Sequence, residues 1–560
     1  MRALATLDLR SLATTRIAVG VLMLADLVER SSRLSLDYTD DGLLPRSWFD
    51  EAERDLPLLF VHGLGGSAAF AVLCMLACAV AAMLLLLGWR TRLVSLVSLL
   101  LWASLQARNP MIAYHGDTVL RVVLFWGVLL PWGARWSLDA RRARRPGPPD
   151  TFVGPAAVGF LVQLACIYVF SVAYKSGPAW REDFDAVTLA LRMHGYATPV
   201  GEALLRYPRV LRLLSVGVLA LESLGPLLLF APLRTEAARL VAAGAFLLFH
   251  VALGLTMRLE LFTPLMLAVW MAVLPARFWR ALGASASAAT PLCARSRSIA
   301  RIAVAATTVL VVLTNVDALA AFRARADIES RLPLFPFASS ISMKLGIAQE
   351  WSMFAPEPAT LTGRLRVTTA RGDGTLVDVL RSEVVQTDGP LPDGPDRPLR
   401  VRQQELRWSR WMYPLAVERF GLRQCASLDG RLTVEVGLVP TREEDRGAAP
   451  EWVELVSVTC PGQRRIDSMM TSPPRKRSPS RTSAPQPTPA STSPCPPALA
   501  VRRGGERAGG GSASSAVASA TRFCTTTTMN DPSGGGCRNT AVTSPGRAPA
   551  PGVIEILTKP

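Results

Sequence analysis

Charge is the first thing this 560-residue chain is short of. Asp, Glu, Lys and Arg make up 19% of it against 50% hydrophobic residues, and mean hydropathy is positive at +0.27. A soluble fold of this length carries more charge and fewer unbroken apolar stretches, so that class is excluded. Paired cysteines are missing too: the nine thiols are scattered, with no CxxC and no spacing that would gather four ligands around zinc, so no metal site is implied. Histidine is scarce, with only His62, His115, His194 and His250, which confines any imidazole chemistry to the N-terminal half. A cleavable signal peptide is not evident, because the first apolar run contains Arg16 and Asp26 and lacks a small-residue cleavage site.

What remains is apolar sequence at membrane-spanning length. Runs at about 13–31, 66–88, 91–107, 117–134, 151–174, 209–231, 236–256, 259–276 and 298–323 are bounded by arginines and prolines, and a bilayer core of about 30 Å needs roughly 20 such residues per helix. The expectation is an all-α polytopic membrane bundle of about nine transmembrane helices over residues 10–325. The formal net charge of +17 lies in short loops and the tail, in Arg90 and Arg92, in Arg141, Arg142, Arg144 and Arg145, in Arg234 and Arg239, and from Arg277 to Arg301. These loops fall on one side of a nine-span topology, the cytoplasmic side under the positive-inside rule, and nucleic acid is not an expected partner. The expected setting is the cell membrane, with lipid as partner, the amino terminus inside and residues 326–560 outside.

Beyond the spans, Leu365–Thr369, Leu376–Leu380, Leu432–Val439 and Trp452–Thr459 alternate between turn residues. They predict a small β-rich extracytoplasmic domain over 326–466, in which Cys425 and Cys460 are free to pair as a disulfide. From Asp467 to Pro560 the chain is Ser, Pro, Thr, Gly and Arg without hydrophobic periodicity, which predicts a disordered tail. So abrupt a change of composition is also what a shifted reading frame produces in a GC-rich gene.

Titratable side chains at membrane depth are costly, so each calls for a partner, a water-filled cavity or a function. Asp26 and Arg30 lie one helical turn apart and could pair. His115 precedes span four, followed by Asp117 and Arg121, and Lys175 ends span five. The hairpin of these spans brings His115 and Lys175 to the same outer level, where a desolvated lysine can act as a base. The alternative is a lysine that snorkels to headgroups. Glu222 in span six and His250 in span seven each need a partner and could bond each other.

These motifs resemble the HTTM domain family, related to the vitamin K-dependent gamma-carboxylases. The resemblance rests on Asp26 with Arg30, Asp40-Asp41-Gly42-Leu43-Leu44-Pro45-Arg46, Arg108-Asn109-Pro110 before His115-Gly116-Asp117, and Leu130-Pro131-Trp132-Gly133. It continues through Tyr174-Lys175 with Trp180, Thr198-Pro199, Glu222, and His250 leading to Phe262 and Pro264. Trp351-Ser352-Met353-Phe354-Ala355-Pro356 is similar to a signature that follows the membrane part in bacterial relatives. The resemblance implies a reduced, vitamin K-like quinone as cofactor, Lys175 as catalytic base with His115 beside it, and a protein or peptide substrate on the outer side. Asp26, Asp117, Arg121, Glu222 and His250 would then support the polar cavity, with Trp180 and Trp351 as motif residues. His115-Gly116-Asp117 is the pattern of the broader HTTM group, and the external domain is short beside that of the carboxylases.

Three functions stand against one another at this stage. The first is a quinone-dependent carboxylase-like enzyme. The second is a non-catalytic lipid- or quinone-binding module that recruits a partner through its external domain. Transport is the third and weakest, because neither an internal repeat nor paired interrupted helices are evident.

Overall fold

The computed structural model describes residues 3–51, 56–143, 150–193, 196–284, 292–293, 298–326, 334–359, 361–370, 375–380, 383–385, 414–425, 430–441 and 451–460. The predicted tail, His194, Arg144, Arg145, Arg295 and Arg297 lie outside these residues.

Each of the nine apolar runs coincides with a helix: α1 (Leu9–Ser31), α2 (Ala68–Leu87), α3 (Thr91–Arg108), α4 (His115–Leu129), α5 (Pro155–Tyr174), α6 (Pro208–Leu224, prolonged by a 3-10 turn Gly225–Phe230), α7 (Thr235–Thr256), α8 (Phe262–Met271) and α9 (Ser298–Ala326). Six of them, α1, α2, α5, α6 with its extension, α7 and α9, are long and apolar enough to cross a membrane. That is three fewer than the count expected from hydropathy. At 1.5 Å per residue, the 15 residues of α4 reach about 22 Å and the 10 of α8 about 15 Å, short of a 30 Å core. Both are interior helices, with Leu120, Leu124 and Trp126 of α4 and Leu265, Met266 and Trp270 of α8 fully buried. The long helices instead leave large apolar side chains exposed, such as Leu73 and Leu76 of α2, Leu213 of α6 and Leu248 of α7, the surface that lipid would cover.

One face of the bundle is tied by short strands and by arginines. Strands β1 (Thr6–Asp8), β2 (Thr151–Val153) and β3 (Leu292–Cys293) form a sheet in that order, and they lead into α1, α5 and α9. Arg16, fully buried, donates to Leu85 O and Leu86 O at the end of α2 and to Trp132 O and Trp136 O after α4. Carbonyls at a helix end lack an intrahelical donor, and here one guanidinium serves the end of α2 and ties it to the chain beyond α4. Asp139 accepts from the Arg90 and Thr91 amides where α3 begins. Arg239 in α7 reaches Leu229 O, Thr6 O and Leu4 O, and Ser11 in α1 donates to Leu274 O just after α8.

On the opposite face lies a five-stranded antiparallel sheet, ordered β6-β5-β4-β7-β8, of β4 (Leu361–Ala370), β5 (Leu376–Asp378), β6 (Glu383–Val384), β7 (Gly430–Pro440) and β8 (Glu451–Cys460). Helix α10 (Pro336–Lys344) precedes it, and α11 (Pro414–Gln424) packs on β7 and β8. Alternation in β4 and β7 turns Leu365, Val367, Leu432, Val434 and Val436 inward, and Cys425 and Cys460 are joined as a disulfide. Leu43, Leu44 and Met111 of the bundle share this core, and Arg419 of α11 donates to Asp40 O and Gly42 O. Burial lowers the Arg419 pKa from its ordinary value.

Candidate functional site

The buried ionic residues singled out in the sequence fall into two groups. In the first, Arg30 is the hub: its Nε donates to Asp26 Oδ2 at 2.9 Å, Nη2 to Asp117 Oδ1 at 2.6 Å and Nη1 to Tyr38 Oη at 2.7 Å. The carboxylates are further held by Trp102 Nε1 on Asp26 (3.1 Å), Gln106 Nε2 on Asp117 (3.2 Å) and the Tyr114 amide on Asp117 (3.2 Å). That last bond is a cap on α4, where a carboxylate favours the helix dipole. Arg121, one turn further on, bonds Gln106 Oε1, Gly346 O and Ala348 O. Two carboxylates and two guanidiniums cancel, which is how charge is retained away from water.

The second group is smaller. Lys175, 3% exposed, caps α5 and donates to Ser171 Oγ at 2.7 Å and to Glu222 Oε2 of α6. Its Nζ also lies 5.1 Å from the centre of the Trp180 ring, an arrangement that favours the ammonium. A snorkelling lysine would be exposed at its tip, and this one points inward.

Chain from beyond α9 links the groups. After α10, residues 346–351 enter the bundle, with Ile347, Gln349 and Trp351 buried. Gly346 has φ +70°, and a Cβ there would stand 2.6 Å from Ala103 Cβ, so only glycine permits the entry. Gln349 exchanges amide hydrogen bonds with Gln163 of α5, at 2.7 and 3.3 Å, and accepts from Trp351 Nε1 at 3.1 Å. Phe354 O then accepts from Trp180 Nε1 at 2.8 Å and Pro356 O from the Gly177 amide at 3.0 Å. The Trp351 to Pro356 motif thus positions the ring that covers Lys175.

His250, 1% exposed, bonds through Nε2 to Tyr168 Oη at 2.8 Å, and Tyr168 Oη accepts from Trp270 Nε1 at 2.5 Å. Tyr168 lies in α5 and Lys175 caps it, so one helix carries the hydroxyl of this triad and the lysine of the pair. The alternative of a His250 bond to Glu222 is not what forms: the imidazole Nε2 bonds Tyr168 and the carboxylate bonds Lys175. His115 opens α4, half-buried and two residues before Asp117. The hydrogen bonds of Lys175 go to Ser171 and Glu222, and His115 is not among them.

Sequence reasoning selected Asp26, Asp117, Arg121, Lys175, Glu222, His250, Trp180 and Trp351 but passed over Tyr168, Gln106, Gln163 and Gln349. An amide within an apolar run, as at Gln163, carries the same desolvation cost that singled out the charged residues and could have found it. Among the described residues no three or more His, Cys, Asp or Glu gather to hold a metal.

Residues 5–279 match the family model described as the HTTM domain. No curated protein and no solved structure matches the chain.

Proposed function

We propose, from the premise that residues 5–279 are an HTTM domain, that this membrane protein is a quinone-dependent, carboxylase-like enzyme in which Lys175 and Glu222 act together as the base. One observation carries the reading: an amine and a carboxylate in contact inside an apolar bundle, with few other polar partners. Such a pair holds one acidic proton between its two members. Taking up a second proton would leave a Lys175 ammonium beside a protonated Glu222, which is how these two residues would serve as base toward a bound quinol. Trp180 stabilises that ammonium through its ring face. The arginines carry positive charge at every pH of interest and are unsuited to this role. A reduced, vitamin K-like quinone would supply the redox chemistry, and a protein or peptide would be the substrate.

The setting follows from the tied face. Starts of α1, α3, α5, α7 and α9 and ends of α2, α4, α6 and α8 meet there, which supports nine alternating passes, the short interior helices included. The arginine-rich loops lie at that face, which supports a cytoplasmic assignment for it and, with the disulfide, an extracytoplasmic β-rich domain at a bacterial cell membrane as part of the same reading.

Purified protein given reduced quinone, oxygen and bicarbonate should form quinone epoxide, and Lys175→Ala and Glu222→Gln should each abolish it. Full activity in Lys175→Ala removes the mechanism. The complete charge balance of both groups equally favours a second reading, a non-catalytic quinone- or lipid-binding module. Bound quinone retained equally by wild type and Lys175→Ala, with no epoxide from either, would select it.

A further inference from the structure

The packing of α7 on α8 contains two buried polar atoms that the proton chemistry leaves unused. His250 Nδ1 and Thr263 Oγ1 have no hydrogen-bond partner among the described residues, although their residues are 1% and 7% exposed. Burying such a group unpaired is costly, and native interiors rarely do so without a reason. Thr263 stands in the first turn of α8, where its hydroxyl has no carbonyl of a preceding helical turn to use. For His250 the hydrogen-bond chain favours one tautomer, the one that leaves the fewest polar groups unpaired. Trp270 Nε1 can only donate, so Tyr168 Oη accepts from it, and the tyrosine's own proton is then used on His250 Nε2. The imidazole proton is left on Nδ1, a donor without an acceptor.

The surroundings are apolar and aromatic. Phe262 lies edge-on to the imidazole with ring centres 5.9 Å apart, and Phe249 lies at 5.1 Å. Gly254, one turn beyond His250, faces Thr263 so closely that a Cβ would stand 2.9 Å from Thr263 Cγ2. Two buried donors beside aromatic rings are the chemistry that would hold an apolar ligand by an accepting oxygen. We propose that His250 and Thr263 form a binding site for the carbonyl oxygen of an apolar, membrane-dissolved molecule, of which a quinone is the type. This deepens the function proposed above by giving the quinone head a seat, and it rests on that reading only for the choice of probe.

The test is titration calorimetry of the full-length protein in detergent with oxidised 2-methyl-1,4-naphthoquinone and with 2-methylnaphthalene, the same ring system without carbonyls. Wild type should prefer the quinone by roughly tenfold, the worth of a good hydrogen bond. Thr263→Val keeps the shape and removes the hydroxyl, so it should cut that preference several-fold while leaving the ligand-free thermal midpoint unchanged or higher. His250→Phe should cut it too while still binding the hydrocarbon. A preference unchanged in both variants, or absent from wild type, overturns the site. Displacement of the quinone by a diacyl phospholipid but not by its ether-linked counterpart would support the site with a lipid ester as the natural carbonyl. No displacement by either supports a free quinone-type ligand. Because neither oxygen nor bicarbonate enters this assay, failure of epoxide formation leaves the site standing, and failure of the site leaves the Lys175 mechanism standing.

Discussion

The Arg30 network and the Lys175–Glu222 pair are each buried and each electrically balanced, yet they are built on different scales. Arg30 binds a carboxylate from each of two helices and a tyrosine, and those carboxylates are held again by Trp102, Gln106 and a backbone amide. Lys175 has one carboxylate, one hydroxyl and a ring face. A network whose lone pairs and protons are nearly all engaged holds one geometry and one protonation state. A pair with spare capacity can take up or release a proton with little rearrangement, which is what a base needs. On the proposed reading, stability and chemistry fall to different clusters within one bundle.

The largest effect that would sharpen this contrast is Arg30→Ala. It leaves two buried carboxylates with only Arg121 to balance them and should cost about 3–5 kcal/mol or prevent folding outright, seen as loss of monodisperse protein in detergent; normal yield and thermal midpoint would break the distinction. Next, Lys175→Met and Glu222→Leu should each destabilise by about 3 kcal/mol, while the double variant should recover most of that, since an apolar pair can replace an ion pair. A double variant as poor as the sum of the singles would place Lys175 with the structural network instead.

Acid should then separate the regions. His62, 5% exposed and bonded to Ser104, has its pKa pushed down to about 4 by burial, and also by the charges of Arg30 and Arg108. Between the ordinary value of 6.5 and about 4 the unfolded chain binds a proton that the folded one refuses. His62 therefore costs no stability above pH 6.5, and stability falls as pH drops through that window, by up to about 3 kcal/mol. Thermal midpoints from pH 7.5 to 4.5 should show the decline and His62→Gln should flatten it; an equal slope in both would assign the acid response elsewhere. The smallest effect is Trp180→Leu, which should change stability by about 1 kcal/mol or less while lowering the rate through loss of the cation–π contact. An unaltered rate would remove Trp180 from the site.

Much of the architecture was readable in one dimension because its causes are local. Apolar runs of helical length marked all nine helices, and period-two alternation marked the strands at Leu365–Thr369 and Leu432–Val439 within a few residues. The cost of charge at membrane depth picked out Asp26, Asp117, Lys175, Glu222 and His250 without any fold at all. Local reasoning says least about the short helices, since hydropathy cannot tell an apolar residue facing lipid from one facing another helix, as those of α4 and α8 do. It also assigned Lys175 to the wrong neighbour. His115 of α4 was expected beside it, yet the carboxylate comes from α6, 47 residues away, and the covering ring is held by Phe354, 174 residues beyond Trp180.

By itself, then, the sequence determined which residues must find partners and which segments must be helix or strand, because desolvation and periodicity act residue by residue. Only the tertiary structure decided who those partners are: Glu222 for Lys175, Tyr168 for His250, and a buried loop at Gly346–Trp351 between them. Partner choice depends on which helix faces meet when the bundle packs, and that is a property of the whole chain.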